Sequence, residues 1–198
     1  MTTIEKVHDD WGQIKNTCRS TVNKDASDKE PSEKFKKNLL IAEHSPIRLF
    51  EVFWSWKGIK YWVSQEWARH KFEKYISTQR NDRQDKYDRN EAPQGALVNF
   101  NGYANMQNLI DAWRKRLCFQ ATKEARELAE DFKTELAKDY PNEASVLVPN
   151  CVYRGGCPEV QCCGFWGKFL QWSEKQGKPT GTISSRYEAY NEYFRSNR

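Results

Sequence analysis

The stretch Ile47-Arg-Leu-Phe50-Glu51-Val52-Phe-Trp54-Ser55-Trp56-Lys57-Gly58-Ile59-Lys-Tyr-Trp62-Val63-Ser-Gln65-Glu66-Trp67-Ala-Arg69-His70-Lys71 carries the reading of the fold. From Ile47 to Lys57 the pattern has period two. Phe50, Val52, Trp54 and Trp56 fall on one face, Glu51 and Ser55 on the other, which predicts a strand. Gly58 predicts its end. Ile59, Trp62, Val63, Trp67 and His70 then recur at helical spacing and predict a helix over 59–71.

Upstream, Pro46 stops a helix that Pro31, Ser32 and Glu33 open and that ends near His44. Residues 23–34 are almost wholly polar and read as a surface loop. Residues 2–22 show a short apolar alternation around Ile4 and Val7, then a polar turn and the segment Asn16-Thr-Cys18-Arg19-Ser20-Thr21. Downstream, residues 77–102 are polar and read as turns. Two apolar stripes predict two helices: Tyr103, Met106, Leu109, Ile110, Trp113 and Leu117, then Ala121, Ala125, Leu128, Ala129, Phe132 and Leu136, with Pro141 as the stop. Four cysteines follow in Cys151-Val-Tyr-Arg-Gly-Gly-Cys157-Pro-Glu-Val-Gln-Cys162-Cys163. A short aromatic helix is expected around Phe165, Trp166, Phe169 and Trp172, and a helical tail from Ser185 through Tyr187, Tyr190 and Phe194. A strong strand and several helices without βαβ alternation predict an α+β fold.

Only 38% of the 198 residues are hydrophobic, but 8 Trp, 9 Tyr and 10 Phe supply large buried area per residue and argue against disorder. Lys and Arg exceed Asp and Glu by 5, and the pI near 8.8 suits an anionic ligand. No run of about 18 apolar residues predicts a membrane span. The start, Met1-Thr-Thr-Ile-Glu-Lys, lacks an apolar secretory segment, so a cytosolic location and six reduced cysteines are expected. Neither an internal repeat nor a Gly-rich phosphate loop is evident.

The densest polar cluster runs from Gln65 to Arg89. Gln65 and Arg69 lie four apart on one helix face. Arg69-His70-Lys71 at a helix C-terminus reads either as a charge cap against the dipole or as an anion site completed by Ser77, Thr78, Arg80 and Arg89. Arg suits phosphate because its planar fork meets two oxygens at once. Asn105, Gln107, Asp111 and Arg116 form a second group on the long helix, where Arg114-Lys115-Arg116 reads first as a solvated face. Cys151, Cys157 and Cys162 or Cys163 could supply three zinc ligands, with Cys18, Cys118 or a His as the fourth, but their spacing is not a knuckle pair and reduced thiols are the preferred reading.

In these pieces the chain resembles a short, divergent flavin-dependent thymidylate synthase of the kind found in phage genomes. That family's signature is Arg-His-Arg-x-x-Ser-x-Asn-x-x-Ser-x-Arg-Tyr. Here Arg69-His70-Lys71-Phe-Glu-Lys-Tyr-Ile76-Ser77-Thr78-Gln79-Arg80 matches its first pair and, with one residue deleted, sets Thr78 and Arg80 in the places of its last Ser and Arg. His44-Ser45-Pro46, Cys18-Arg19-Ser20, Arg89 with Pro93, and Asn105 with Leu109, Arg116, Ala121 and Glu124 resemble further family motifs in the same order. The resemblance runs from about residue 4 to residue 140.

It implies a twisted, mainly antiparallel sheet packed with helices over residues 1–150, and a Cys- and aromatic-rich extension over 151–198 on the same domain. It implies methylation of dUMP to dTMP, with FAD as cofactor, NADPH and methylenetetrahydrofolate as co-substrates, and a homotetramer whose sites form between subunits. Arg116 takes the place of the Arg that polarises the uracil. Gln65 or Glu66, Arg69, Ser77, Thr78, Gln79, Arg80 and Arg89 fall at nucleotide positions. Ser20, His44, Ser45, Arg69, His70, Lys71, Asn105, Gln107 and Asp111 fall at flavin positions. An Arg116→Ala change is expected to abolish product and spare the fold. Lys71 replaces an Arg, Ile76 an Asn or Glu, Gln107 an Arg and Arg48 a Glu, which keeps open a related hydroxymethyl transfer or a homologue without catalysis. A reading of another class is a basic nucleic-acid-binding protein whose rings stack on bases. The core spacing of most aromatics and the small charge excess speak against it.

Overall fold

The structure is a computed structural model and describes residues 1–78 and 88–197. In chain order the elements are β1 (Thr2–His8), α1 (Trp11–Ser20), α2 (Glu33–Ile41), a 3₁₀ turn (Ser45–Leu49), β2 (Glu51–Lys60), α3 (Tyr61–Ala68), β3 (Glu73–Ile76), β4 (Leu97–Asn105), α4 (Met106–Arg116), α5 (Lys123–Leu136), α6 (Pro141–Ser145), α7 (Asn150–Arg154), α8 (Phe165–Lys175) and α9 (Ile183–Ser196). The strands form one antiparallel sheet in the order β1-β2-β4-β3, so the α+β expectation holds.

The period-two face of β2 is the seed of the core. Val52, Trp54 and Trp56 are fully buried. The Trp54 ring packs edge-on against Trp113 of α4 at 5.8 Å and Phe132 of α5 at 5.2 Å, and Trp113 lies 4.3 Å from Phe132. Such contacts add to the area these rings bury. The Trp113 indole N–H donates to the Ala129 carbonyl at 2.9 Å, which locks α4 to α5. Trp67 of α3 lies 4.8 Å from Trp56 and 4.9 Å from Trp113. This wall fixes the end of α3 against the body of α4.

Opposite Trp54 on the sheet stands Gly102. A Cβ there would fall inside the Trp54 indole. Gly102→Ala is therefore expected to destabilise the protein by about 3 kcal/mol, because a fully buried ring has nowhere to go. Thermal unfolding checks this, with Tm about 8 °C lower.

Several boundaries differ from the sequence expectation. β2 does not stop at Gly58. That residue takes φ +64 in a bulge between Trp56 and Ile59, its N–H donates to Asn99 Oδ1 at 3.2 Å, and pairing resumes at Ile59↔Val98. The helix expected over 59–71 is accordingly only Tyr61–Ala68, with Arg69 as its C-cap and His70 beyond it. The expected turn region 77–102 contains most of β4, whose Val98 and Phe100 point into the core. The helix expected from Tyr103 begins at Met106, because Asn105 Oδ1 caps it by accepting the Asn108 N–H at 3.0 Å. Residues 11–20, where a polar turn is expected ahead of the segment from Asn16, form α1, capped by Asp10. Pro141 does not end α5; it opens α6.

The C-terminal helices share the same core, through Phe165, Phe169, Tyr187 and Tyr190. Arg186 of α9 donates to the carbonyls of Val152 at 2.8 Å and Tyr153 at 3.0 Å, closing the end of α7. No helix among the described residues is long and apolar enough to cross a membrane.

Candidate active site

The last residue of α4 meets the turn that leaves α3. Arg116 Nε donates to His70 Nε2 at 2.8 Å, Nη1 to Glu66 Oε2 at 2.6 Å and Nη2 to the Glu66 carbonyl at 2.6 Å. The Thr122 hydroxyl donates to the other Glu66 oxygen at 2.8 Å. The side chains of Arg116 and Glu66 are 14% and 18% exposed, so solvent does little to loosen the pair. A guanidinium has five N–H groups and no acceptor, so His70 Nε2 must be unprotonated and its proton sits on Nδ1. Burial, then the nearby charges of Arg116 and Lys74, push His70 down to about 4, which keeps the ring neutral at physiological pH. The result is a cation held by three hydrogen bonds, with two of its five N–H groups outside them.

His70 also borders a cleft of about 470 Å³ with Lys71, Lys74, Glu51, Tyr103, Asn105 and Asn108 among its walls. Tyr103 donates to Glu51 across the sheet; that hydrogen bond, burial and the carboxylate charge push the phenol up to about 12. Lys71 is exposed, and Lys74 Nζ is tied to the carbonyls of His70 and Phe72, both at 3.1 Å, which stiffens the turn.

The sequence-predicted residues divide by position. Glu66, His70 and Arg116 are bonded together, and Lys71 and Asn105 line the adjoining cleft. Of the two candidates Gln65 and Glu66, Glu66 turns to Arg116, and Gln65 stays exposed. Arg69 is exposed, and its charge reaches Arg116. Ser77 uses its hydroxyl to hold the sheet edge, accepting the Asn99 N–H at 2.9 Å. Thr78 and Arg89 are exposed. Gln79 and Arg80 lie outside the described residues. Ser20 ends α1, and His44 and Ser45 start the 3₁₀ turn; all three are exposed and stand on other elements.

Gln107 and Asp111 face a second group that the sequence reading missed. Gln107 donates to Glu43 at 2.7 Å and to Asp111 at 3.4 Å. Arg114 pairs with Glu43, lies 3.5 Å from Asp111 and covers the Tyr153 ring at 3.5 Å. The Arg114-Lys115-Arg116 run is thus not a solvated face. Arg114 is buried and Arg116 turned inward, and only Lys115 is exposed. The available signal was the spacing of Gln107, Asp111 and Arg114 along one side of α4.

No protein-family model matches the chain, and no curated protein does. The fold is that of the flavin-dependent thymidylate synthases. Among solved structures it is similar to ThyX from Helicobacter pylori complexed with FAD and dUMP, with TM-score 0.55 and 15% identity over 70% of this chain and 95% of that one. A second structure of that enzyme with FAD and dUMP gives 0.58 and 14%, over 74% and 99%. The UMP/dUMP methylase PolB from Streptomyces cacaoi, bound with 5-Br dUMP, gives 0.59 and 12%, over 74% and 93%.

Proposed function

We propose that this chain is an enzyme that methylates dUMP to dTMP with FAD as cofactor, methylenetetrahydrofolate as carbon donor and NADPH as hydride source. The observation that carries the reading is Arg116, fixed by Glu66 and a neutral His70 beside a polar cleft, within a fold whose solved neighbours bind FAD and dUMP or 5-Br dUMP.

The residues around the cleft fit a flavin in chemical type. Lys71 and Lys74 offer charge to a diphosphate, and the Asn105 and Asn108 side chains offer amides to a ring edge. When bound, FAD supplies the hydride chemistry. The chain's own task is electrostatic. As C5 of the uracil becomes nucleophilic, negative charge gathers on a ring oxygen, and the two uncommitted N–H groups of Arg116 would meet it without reorganisation. Glu66 and His70 absorb the other three donors and hold the guanidinium plane. Arg69 and Arg89, with Thr78, Gln79 and Arg80, would hold the nucleotide phosphate. Ser20, His44 and Ser45 lie on other elements, and Gln107 and Asp111 lie earlier on α4 facing Glu43 and Arg114, in keeping with a flavin shared between subunits of a homotetramer. Residues 151–198 act in this reading as an extension of the same domain.

The purified protein is expected to take up FAD and absorb in the visible flavin bands. NADPH oxidation should be stimulated by dUMP, and mass analysis with methylenetetrahydrofolate should find dTMP. Parallel incubations with UMP and dCMP define the acceptor. A colourless protein that does not take up FAD sinks the proposal.

A further inference from the structure

Helix α9 closes a cavity of about 480 Å³ against α2, α5 and α6. The cavity shares no residue with the cleft beside His70, and its size is that of a small-molecule site. Lys133 of α5 lies in its wall and is only 3% exposed. Its Nζ donates to the Ala144 carbonyl at 2.6 Å and to Asn191 Oδ1 at 2.7 Å. The Asn191 amide is fixed in turn, donating to the Ser145 carbonyl at 2.8 Å and the Tyr187 carbonyl at 2.7 Å. The rings of Phe194 and Tyr190 lie 5.5 and 5.8 Å from Nζ. An ammonium has three N–H groups, so one lies outside the two bonds.

Lysine is almost never buried without a partner of opposite charge. Here no salt bridge among the described residues reaches Lys133. The two glutamates of the wall are taken: Glu188 by Lys37 at 2.6 Å and Glu192 by Lys178 at 2.9 Å. Arg195, exposed in the same wall, adds a second positive charge that Lys133 feels. Ile41, Ala137, Pro141 and Ala144 make much of the remaining lining apolar. We propose that this cavity binds a small carboxylate with an apolar body, and that the carboxylate is the counter-ion Lys133 lacks. A phosphate monoester fits less well, because it would bring nearly two charges and three acceptor oxygens to one free N–H.

Burial, then the Arg195 charge, push Lys133 down to about 7. A bound anion holds the ammonium charged, so binding takes up a proton above pH 7 and affinity falls as the pH rises. The other groups around Lys133 do not copy this response. Lys37, Glu188 and Glu192 are paired, and on α5 Glu130 is bound to Arg126 at 3.3 Å. On α6, Glu143 turns to the Trp11 indole at 2.8 Å. Burial raises the Tyr187 and Tyr190 phenols of α9 further from this range. None of this depends on the reaction proposed above.

The test is titration calorimetry of the full chain, with octanoate and 4-phenylbutyrate as probes and 1-octanol as the uncharged control. One acid should bind per chain, and 1-octanol at least tenfold more weakly. Binding by either acid alone also supports the proposal and assigns the body as aliphatic or aromatic. Acid affinity should fall about fivefold from pH 7 to pH 8, and that of 1-octanol should not. Lys133→Met should weaken acid binding by about tenfold or more, with urea unfolding to show that the fold is kept. Ala137→Trp tests the same cavity from an exposed position and should block both acids. If Lys133→Met does not fold, the pH series and Ala137→Trp decide. Neither acid binding, 1-octanol binding as tightly as octanoate, an affinity that ignores pH, or full acid binding in Ala137→Trp would each overturn the assignment.

Discussion

Replacing Arg116 by lysine is expected to lower dTMP formation by about a hundredfold or more while leaving the fold in place. Lysine keeps the positive charge opposite Glu66, so the half-buried carboxylate is not left alone. It cannot keep the geometry. One ammonium is a point charge on a flexible stem and cannot bond His70, the Glu66 carboxylate and the Glu66 carbonyl while also facing a ligand in a fixed plane. Arg116→Ala is a different experiment. The sequence suggested a surface Arg whose loss costs little. The structure overturns that, since Arg116 is 14% exposed and is the cation that Glu66 faces at 2.6 Å. Truncation would leave a poorly hydrated carboxylate with only the Thr122 hydroxyl, at a cost of about 2–3 kcal/mol. Only the lysine variant therefore separates chemistry from stability. Product mass analysis gives the rate and urea unfolding gives the stability. Wild-type rates in Arg116→Lys would remove the fixed guanidinium from the mechanism.

What the sequence disclosed follows from what one-dimensional patterns can encode. The central strand and helices α4 and α5 were legible because each buries one face, and period two or 3.6 is written directly in the residues. β3 was not legible. It is a four-residue edge strand, Glu-Lys-Tyr-Ile, with too few alternations to register. β4 was hidden because Asn99, Asn101 and Gly102 are turn residues by type; Gly102 is there to admit Trp54, a reason visible only across the sheet. The site divides in the same way. His70 and Arg116 stood out through the family resemblance, but their bond spans 46 residues, and the Glu66–Arg116 bond spans 50. Arg114 looked like surface charge because its partner Glu43 lies 71 residues away. Pairing between distant residues leaves no spacing to read.

Exchanging His70 for glutamine is expected to flatten the acid limb of stability. A group held below its unfolded value contributes stability that is complete above that value and lost as the pH falls through the folded one. Here the limits are 6.5 and about 4, so the loss falls between them. The gap would correspond at most to ~3 kcal/mol. His70 is only partly buried, and screening by solvent reduces this to about 1–2 kcal/mol. Protonating Nε2 does more than add charge: it turns the acceptor of the Arg116 Nε–H into a donor, so two cationic donors face each other at 2.8 Å. Gln offers a carbonyl oxygen that does not titrate in this range and can accept the same N–H. Urea unfolding of both proteins from pH 7 to pH 4 isolates the term, because the remaining carboxylates titrate alike in the two. The wild type should lose the extra stability as the pH falls, and His70→Gln should not. Parallel curves would mean that His70 carries no such switch. If instead the curves diverge while His70→Gln still forms dTMP and His70→Leu does not, the ring acts by holding Arg116 in place. Its neutrality is then what the burial of that turn secures.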